Sequence, residues 1–376
     1  MRITGNVAGI GLAELETREA RIASVRKLGP EDSDAPFVSP GFIDLQLNGF
    51  AGVDFSSPDF DPEQALAILP SLWRTGVTTF CPTLITNSRE ALLRGFRVLE
   101  QARRMHRRFA QAVPCYHLEG PYISPGSSHG THNAEFISPP DWNEFAELQQ
   151  AAGGRIGIVT LAPELPGALD FIRRATQTGV VAAVGHTDGA AADIHAAAEC
   201  GARLATHLGN GTPQMIDRHR APFWAQLADP RLEASIICDG FHLPSELVQI
   251  VTRVKGLARC ILVTDAVFVA GLEPGRYSLV GLEIELEPSG RVVNRAAGCL
   301  AGSALSLNRA LAVLMEFASL SLAEALLTAT ANPAGLLCSN EQAEWSGEVC
   351  ARIEAGQPAN LVLLRPAARE LRIEQV

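Results

Sequence analysis

RIGIVTLAPELPGALDFIRRATQTGVVAAVGHTDGAAADIHAAAECGARLATHL, residues 155–208, is the stretch that decides the fold of this chain. Three short apolar runs, RIGIVTLAP, GVVAAVGH and ARLATHL, are separated by stretches such as AADIHAAAECG, which are rich in alanine and have helical spacing. Continuous apolar strands alternating with helices point to a parallel sheet covered on its faces. The alternation continues outward in both directions. FVSPGFIDLQL, VTTFCPTLI and PCYHLEG precede the stretch, and EASIICDG and RCILVTDA follow it. Eight strand–helix units predict an α/β fold, a (β/α)8 TIM barrel. A doubly wound open sheet is the alternative, and no G-x-G-x-x-G fingerprint favours it.

Both ends of the chain read differently. Residues 1–39 contain short strand-like runs, RITGNVAG and AELETREARIASV, and the last stretch contains GEVCARIEAG, ANLVLL and ELRIEQV. Neither end can bury a core alone. They are expected to combine as one small β-sandwich domain, residues 1–39 with 346–376, interrupted by the barrel at 40–345. Glu273 to Gly298 reads as a β-hairpin inserted after the eighth strand, followed by the helices LNRALAVLMEFA and SLAEALLTATANPAGLL.

Composition narrows the function. The chain has 376 residues, 47% hydrophobic and 19% charged, with net charge −10. That gives ample apolar surface for a core, and the acidic balance argues against nucleic acid as a partner. The eight cysteines form no CxxC pair, so a thiolate zinc site is not expected. Without a signal-peptide pattern or a membrane-length apolar run, the expectation is a cytoplasmic protein that does not engage membranes.

Polar residues collect where the strands end. The first strand ends in Asp44, Gln46 and Asn48, the second in Thr83, the third in His117 and Glu119, and the fourth in Glu164. The fifth ends in His186, the sixth in His207, the seventh in Asp239 and His242, and the eighth in Asp265. Taken singly, such residues are most simply structural. Asp188 and Asp193 read as helix caps or surface residues, His195 as a surface or packing residue, and His106 in ARRMHRR as part of a solvated helix face. The joint pattern is different, because strand C-terminal ends converge on one face of a barrel, where active sites are built. Glu119, His186, His207 and Asp265 would meet there. One carboxylate and two imidazoles leave an open coordination position, the composition of a catalytic metal site. A further carboxylate beside a metal-activated water can carry its proton to a leaving group.

The ordered set PGFIDLQLNG, HLEGPYISP, GTH, VGHTDG, THLGNG, DGFHLP, VTDA and LAGS resembles the N-acetylglucosamine-6-phosphate deacetylase family of the amidohydrolase superfamily, over nearly the whole chain. The resemblance implies a barrel with a β-sandwich from both termini, and hydrolysis of the N-acetyl group of an amino-sugar phosphate. Carried over by motif, Glu119, His186 and His207 are the metal ligands, Asp265 the general base and acid, and His242 a substrate-binding residue that supports the carbonyl. Thr131, His132, Asn210, Gly211, Leu300, Ala301 and Gly302 are the expected sugar contacts. Many amidohydrolases carry His-x-His on the first strand for a second metal. Gln46-Leu47-Asn48 stands there instead, and neutral amides are poor transition-metal ligands. One divalent ion per subunit is expected, with zinc first and iron, cobalt or manganese suiting the same donors.

The loop GNGTPQMIDRHRAPFW departs from the family pattern. Arg218 or Arg220 would match its phosphate-binding arginine: the spacing from His207 favours Arg218, and the following Pro222 favours Arg220. The loop before GTH carries an extra residue near Ser128 and His129. The resemblance also implies a homodimer whose partner subunit helps contact the phosphate. Two other functions are open: an amidohydrolase acting on another N-acyl sugar or amide without a 6-phosphate, and a non-catalytic barrel. Retention of every catalytic-type position argues against the latter.

Overall fold

The structure is a computed structural model that describes residues 1–339, 343, 345, 349, 351–367 and 370–376. The expected start of the second terminal segment at 346, and Gly347, Glu348 and Cys350 of the GEVCARIEAG run, lie outside the described residues.

Eight parallel strands lie side by side in chain order: Phe42–Leu47, Val77–Ile85, Tyr116–Glu119, Ile156–Leu161, Val181–Val184, Leu204–Ala205, Glu233–Ile236 and Cys260–Leu262. The three longest strands are buried along their whole length, as continuous apolar runs require when helices cover the outer face. The sheet closes where Leu47 bridges Ala266 in parallel. Asn48 N donates to Ala266 O over 2.8 Å and Asp265 N to Gln46 O over 3.0 Å, so the seam brings Gln46, Asn48 and Asp265 together.

Amphipathic helices pack outside. Arg89–Met105 is one of them; Ser88 caps it by accepting from Ala91 N, and it buries Leu92, Phe96 and Leu99. The expected helix over 321–337 is broken into Leu322–Leu327 and Ala331–Leu337, with Pro333 in the first turn of the second piece, where a missing N–H costs nothing.

FVSPGFIDLQL is two strands rather than one. Phe37–Pro40 joins the terminal sheet and Phe42–Leu47 the barrel. Gly41 makes the crossing, where any Cβ would collide with the Thr78 side chain. AELETREARIASV also divides, into Gly11–Arg18 and Arg21–Gly29, about a turn in which Glu19 and Ala20 both have positive φ. The terminal sheet runs in the order Leu371–Gln375, Leu361–Pro366, Phe37–Pro40, Arg2–Val7, Gly11–Arg18, Arg21–Gly29. It folds around Ile3, Val7, Leu15, Ile22, Val38 and Leu361, giving the sandwich built from both termini. Residues 351–356 of the GEVCARIEAG run form no strand.

The insert after the eighth strand is a four-stranded antiparallel sheet, Gly275–Leu279, Leu282–Leu286, Val292–Asn294 and Cys299–Leu300, with its own apolar core. Among the described residues no helix is long and apolar enough to cross a membrane.

Candidate active site

Glu119 ends the third strand, in register with Ile85 on one side and Thr160 on the other. His117, two residues earlier, points to the same side one layer deeper. Its Nδ1 donates to Leu45 O (3.1 Å), so its Nε2 accepts from the Thr160 hydroxyl (2.8 Å), which in turn accepts from Thr206 Oγ1 (2.8 Å). Burial lowers the His117 pKa to about 4, keeping the ring neutral. The floor of the site is therefore a closed, uncharged chain of hydrogen bonds.

His186, His207 and Asp265 each follow a barrel strand, and all three adopt left-handed backbone, with φ of 49°, 30° and 48°. For a non-glycine residue this costs roughly 1–2 kcal/mol. Strain of this kind survives only where the surroundings impose it. Here it accompanies side chains that converge: His207 Nε2 lies 2.9 Å from Glu119 Oε1, and His186 Nε2 lies 3.2 Å from both Glu119 Oε1 and His207 Nε2.

Proton bookkeeping defines what fits among these atoms. His186 Nδ1 lies 2.9 Å from Ser128 O, and a carbonyl only accepts, so Nδ1 carries the proton and Nε2 of the neutral ring offers a lone pair. That lone pair faces the Glu119 carboxylate. At most one proton, on His207 Nε2, lies among the three donor atoms. Burial pushes the Glu119 pKa up, but the closeness of the His186 and His207 imidazoles outweighs it and holds the carboxyl well below its usual range. Burial disfavours charge on His207 too, yet Glu119 raises its pKa overall. Two imidazoles and one carboxylate, all buried and with donor atoms within 4.8 Å of one another, suit a divalent cation.

Gln46 and Asn48 act as donors to the carboxylates. Gln46 Nε2 reaches Glu119 Oε1 (2.9 Å) and Asp265 Oδ1 (3.2 Å), and Asn48 Nδ2 reaches Asp265 Oδ1 (2.7 Å). Burial, with the nearby Glu119 charge, raises the Asp265 pKa to about 6. His242 donates through Nδ1 to Asp239 Oδ2 (2.7 Å), which leaves its Nε2 available to a ligand.

These groups face a cavity of about 1030 Å³. Thr131 and His132 form one wall. The His132 ring sits 4.4 Å from that of His186, and its Nδ1 is 2.7 Å from Thr86 Oγ1. Asn210, Gly211, Leu300 and Gly302 also line the cavity, whereas Ala301 is fully buried in the core of the inserted sheet. Arg218 and Arg220 are exposed and lie outside the lining. Arg291, from the inserted sheet, is the one arginine or lysine lining it among the described residues. Its place was not readable because it comes from outside the strand–helix alternation.

Other strand-end expectations divide. Asp193 accepts from Ala190 N at a helix start, as a cap should. Asp188 caps no helix and instead receives three serine hydroxyls. His195 donates to Asp229 (2.8 Å), and His106 joins two helices instead of lying within one.

Residues 37–372 match the sequence profile of the Amidohydrolase family. The N-acetylgalactosamine-6-phosphate deacetylase of Escherichia coli is 32% identical over 307 residues, 81% of this chain and 79% of that protein. The N-acetylglucosamine-6-phosphate deacetylase of Bacillus subtilis is 33% identical over 289 residues, 75% of this chain and 70% of that protein. Among solved structures, a mutant N-acetyl-D-glucosamine-6-phosphate deacetylase from Mycobacterium smegmatis in complex with N-acetyl-D-glucosamine-6-phosphate superimposes with a TM-score of 0.85 at 30% identity, covering 97% of this chain and 94% of that one.

Proposed function

The chain belongs to the amidohydrolase family, and from that premise we propose that it hydrolyses the N-acetyl group of N-acetylglucosamine 6-phosphate, releasing glucosamine 6-phosphate and acetate. The observation that carries this is the convergence of Glu119, His186 and His207 beside Asp265 in one cavity at the strand C-terminal ends. The Escherichia coli relative, which acts on the galactosamine epimer by its name, makes that sugar the second substrate to assay.

Glu119, His186 and His207 would hold one divalent ion, zinc first. Such an ion lowers the pKa of water and polarises an amide carbonyl. Asp265 accepts the proton of the attacking water as the oxygen–carbon bond forms. It then returns that proton to the amine nitrogen as the carbon–nitrogen bond breaks, since an unprotonated amine is a poor leaving group. His242, oriented by Asp239, presents Nε2 to the substrate. Thr131, His132, Asn210, Gly211, Leu300 and Gly302 hold the sugar.

Arg218 and Arg220 are exposed and outside the cavity lining of their own chain, which supports a reading in which one of them meets the phosphate held by a second copy, in a cytoplasmic homodimer. The small domain is assigned to residues 1–39 with 346–376 and the barrel to 40–345. The test is turnover by purified protein of N-acetylglucosamine with and without its 6-phosphate, with metal analysis of the same sample. Acetate release from the phosphorylated sugar alone is expected. Equal turnover of both sugars, or none of either, would overturn the substrate assignment.

A further inference from the structure

We propose that Asp188 is a positioning residue for His186, acting through the Ser128 carbonyl. This rests on His186 being a metal ligand. Three serines on the turn after the third strand donate to Asp188: Ser124 and Ser128 to Oδ2, the latter over 2.9 Å, and Ser127 to Oδ1 over 3.3 Å. Ser124 and Ser128 are buried, although Asp188 itself stands at the surface. The turn closes tightly on the carboxylate, because a Cβ on Gly126 would lie 2.2 Å from Asp188 Oδ2. Asp188 is in turn fixed by its backbone, whose N–H donates to Glu164 Oε1 over 2.8 Å.

The consequence falls on His186. The same turn delivers Ser128 O to His186 Nδ1 (2.9 Å), and Ser124 N donates to His186 O (2.9 Å). The first bond places the ring proton on Nδ1 and leaves Nε2 free to ligate. Without the three hydroxyl–carboxylate bonds, the turn that carries Ser128 O loses its side-chain anchors to Asp188. Charge-assisted bonds are about twice as strong as neutral ones, which suits these three to holding the turn in shape. A ligand's outer partner fixes both its tautomer and its ring orientation.

The test uses the full-length protein. Zinc(II) affinity is measured by competition with a chromophoric chelator, and cobalt(II) substitution gives a ligand-field spectrum. Asp188→Ala should weaken zinc binding roughly 10–100-fold and change the cobalt spectrum. Asp188→Asn, which keeps one acceptor oxygen, should fall between Asp188→Ala and wild type. Asp193→Ala, which removes a cap from the helix that follows, should lower the melting temperature and leave both metal readouts unchanged. A folded Asp188→Ala protein that binds zinc within twofold of wild type, with an unaltered cobalt spectrum, overturns the proposal. Should Asp188→Ala not fold, the Ser124→Ala/Ser128→Ala double variant carries the same expectation and the same refutation. Wild-type protein that takes up neither metal removes the metal site itself, and the proposal with it.

Discussion

Asn48 and Asp265 meet across the seam that closes the barrel: Asn48 Nδ2 donates to Asp265 Oδ1 over 2.7 Å, and Gln46 donates to the same oxygen over 3.2 Å. Donors to a carboxylate favour its charged form, whereas burial favours the neutral one. This carboxylate is thus held between states, as a group that must both take and return a proton requires.

Asp265→Asn keeps the size of the side chain and loses the proton acceptor. Its kcat should fall roughly 10²–10⁴-fold, while metal content stays near that of wild type. Turnover within a few-fold of wild type in folded, metal-loaded protein would exclude Asp265 as the proton carrier.

Asn48→Ala removes the shorter of the two bonds to Asp265. Its carboxylate then ionises less readily, so its pKa rises and the base form appears only at higher pH. The acidic limb of the pH–rate profile should move upward relative to wild type. An unmoved limb would mean that another group controls it.

Gly211 has φ +58°, and a Cβ there would sit 2.9 Å from His186 Nδ1. Gly211→Ala should therefore push the His186 ring away from its ligating position, beyond a backbone penalty of roughly 1–2 kcal/mol. Loss of metal affinity exceeding the loss of thermal stability is the expected signature. Chelator competition and calorimetry on one sample measure both.

Arg231 hydrogen-bonds Asp229 through Nε and Nη2, at 2.9 and 2.6 Å. With His195, it outweighs desolvation and holds the Asp229 carboxyl well below its usual range. A depressed carboxylate stabilises the fold above its unfolded pKa, about 3.9, and loses that contribution as pH falls further. The destabilisation caused by Asp229→Asn should be constant above about pH 5 and shrink in more acidic buffer. Urea titrations at several pH values would detect it.

If a neighbouring copy supplies the phosphate contact, Arg218→Ala or Arg220→Ala should raise KM for the phosphorylated sugar far more than it lowers kcat. Mixing the arginine variant with inactive Asp265→Asn chains should restore low KM in part of the population. A KM unchanged in both variants would remove these two arginines from recognition.

The barrel was legible because buried parallel strands must be apolar throughout, and eight such runs stand clear of the helices. The crossing at Gly41 was not, since Phe37–Pro40 and Phe42–Leu47 read as one strand-like run, and the close packing of Gly41 on Thr78 that marks the division appears only in the fold. Glu119, His186 and His207 were findable because each stands where a strand stops. The partners that orient them were not. Ser128 contributes a backbone carbonyl, which leaves no trace in residue type, and Asp188 resembles any aspartate before a helix. Gln46 and Asn48 were noticed as unsuitable ligands, but their role as donors depends on the closure of the barrel between Leu47 and Ala266.

The left-handed backbone at His186, His207 and Asp265 sets folding and activity against each other. Glycine adopts that conformation without steric penalty, so at these three positions the substitution most compatible with the backbone deletes a group that the proposed mechanism uses. Selection for heat resistance alone would therefore drift toward chains that fold well and do nothing. A stabilised variant of this protein has to be sought elsewhere in the chain, with these three residues held constant.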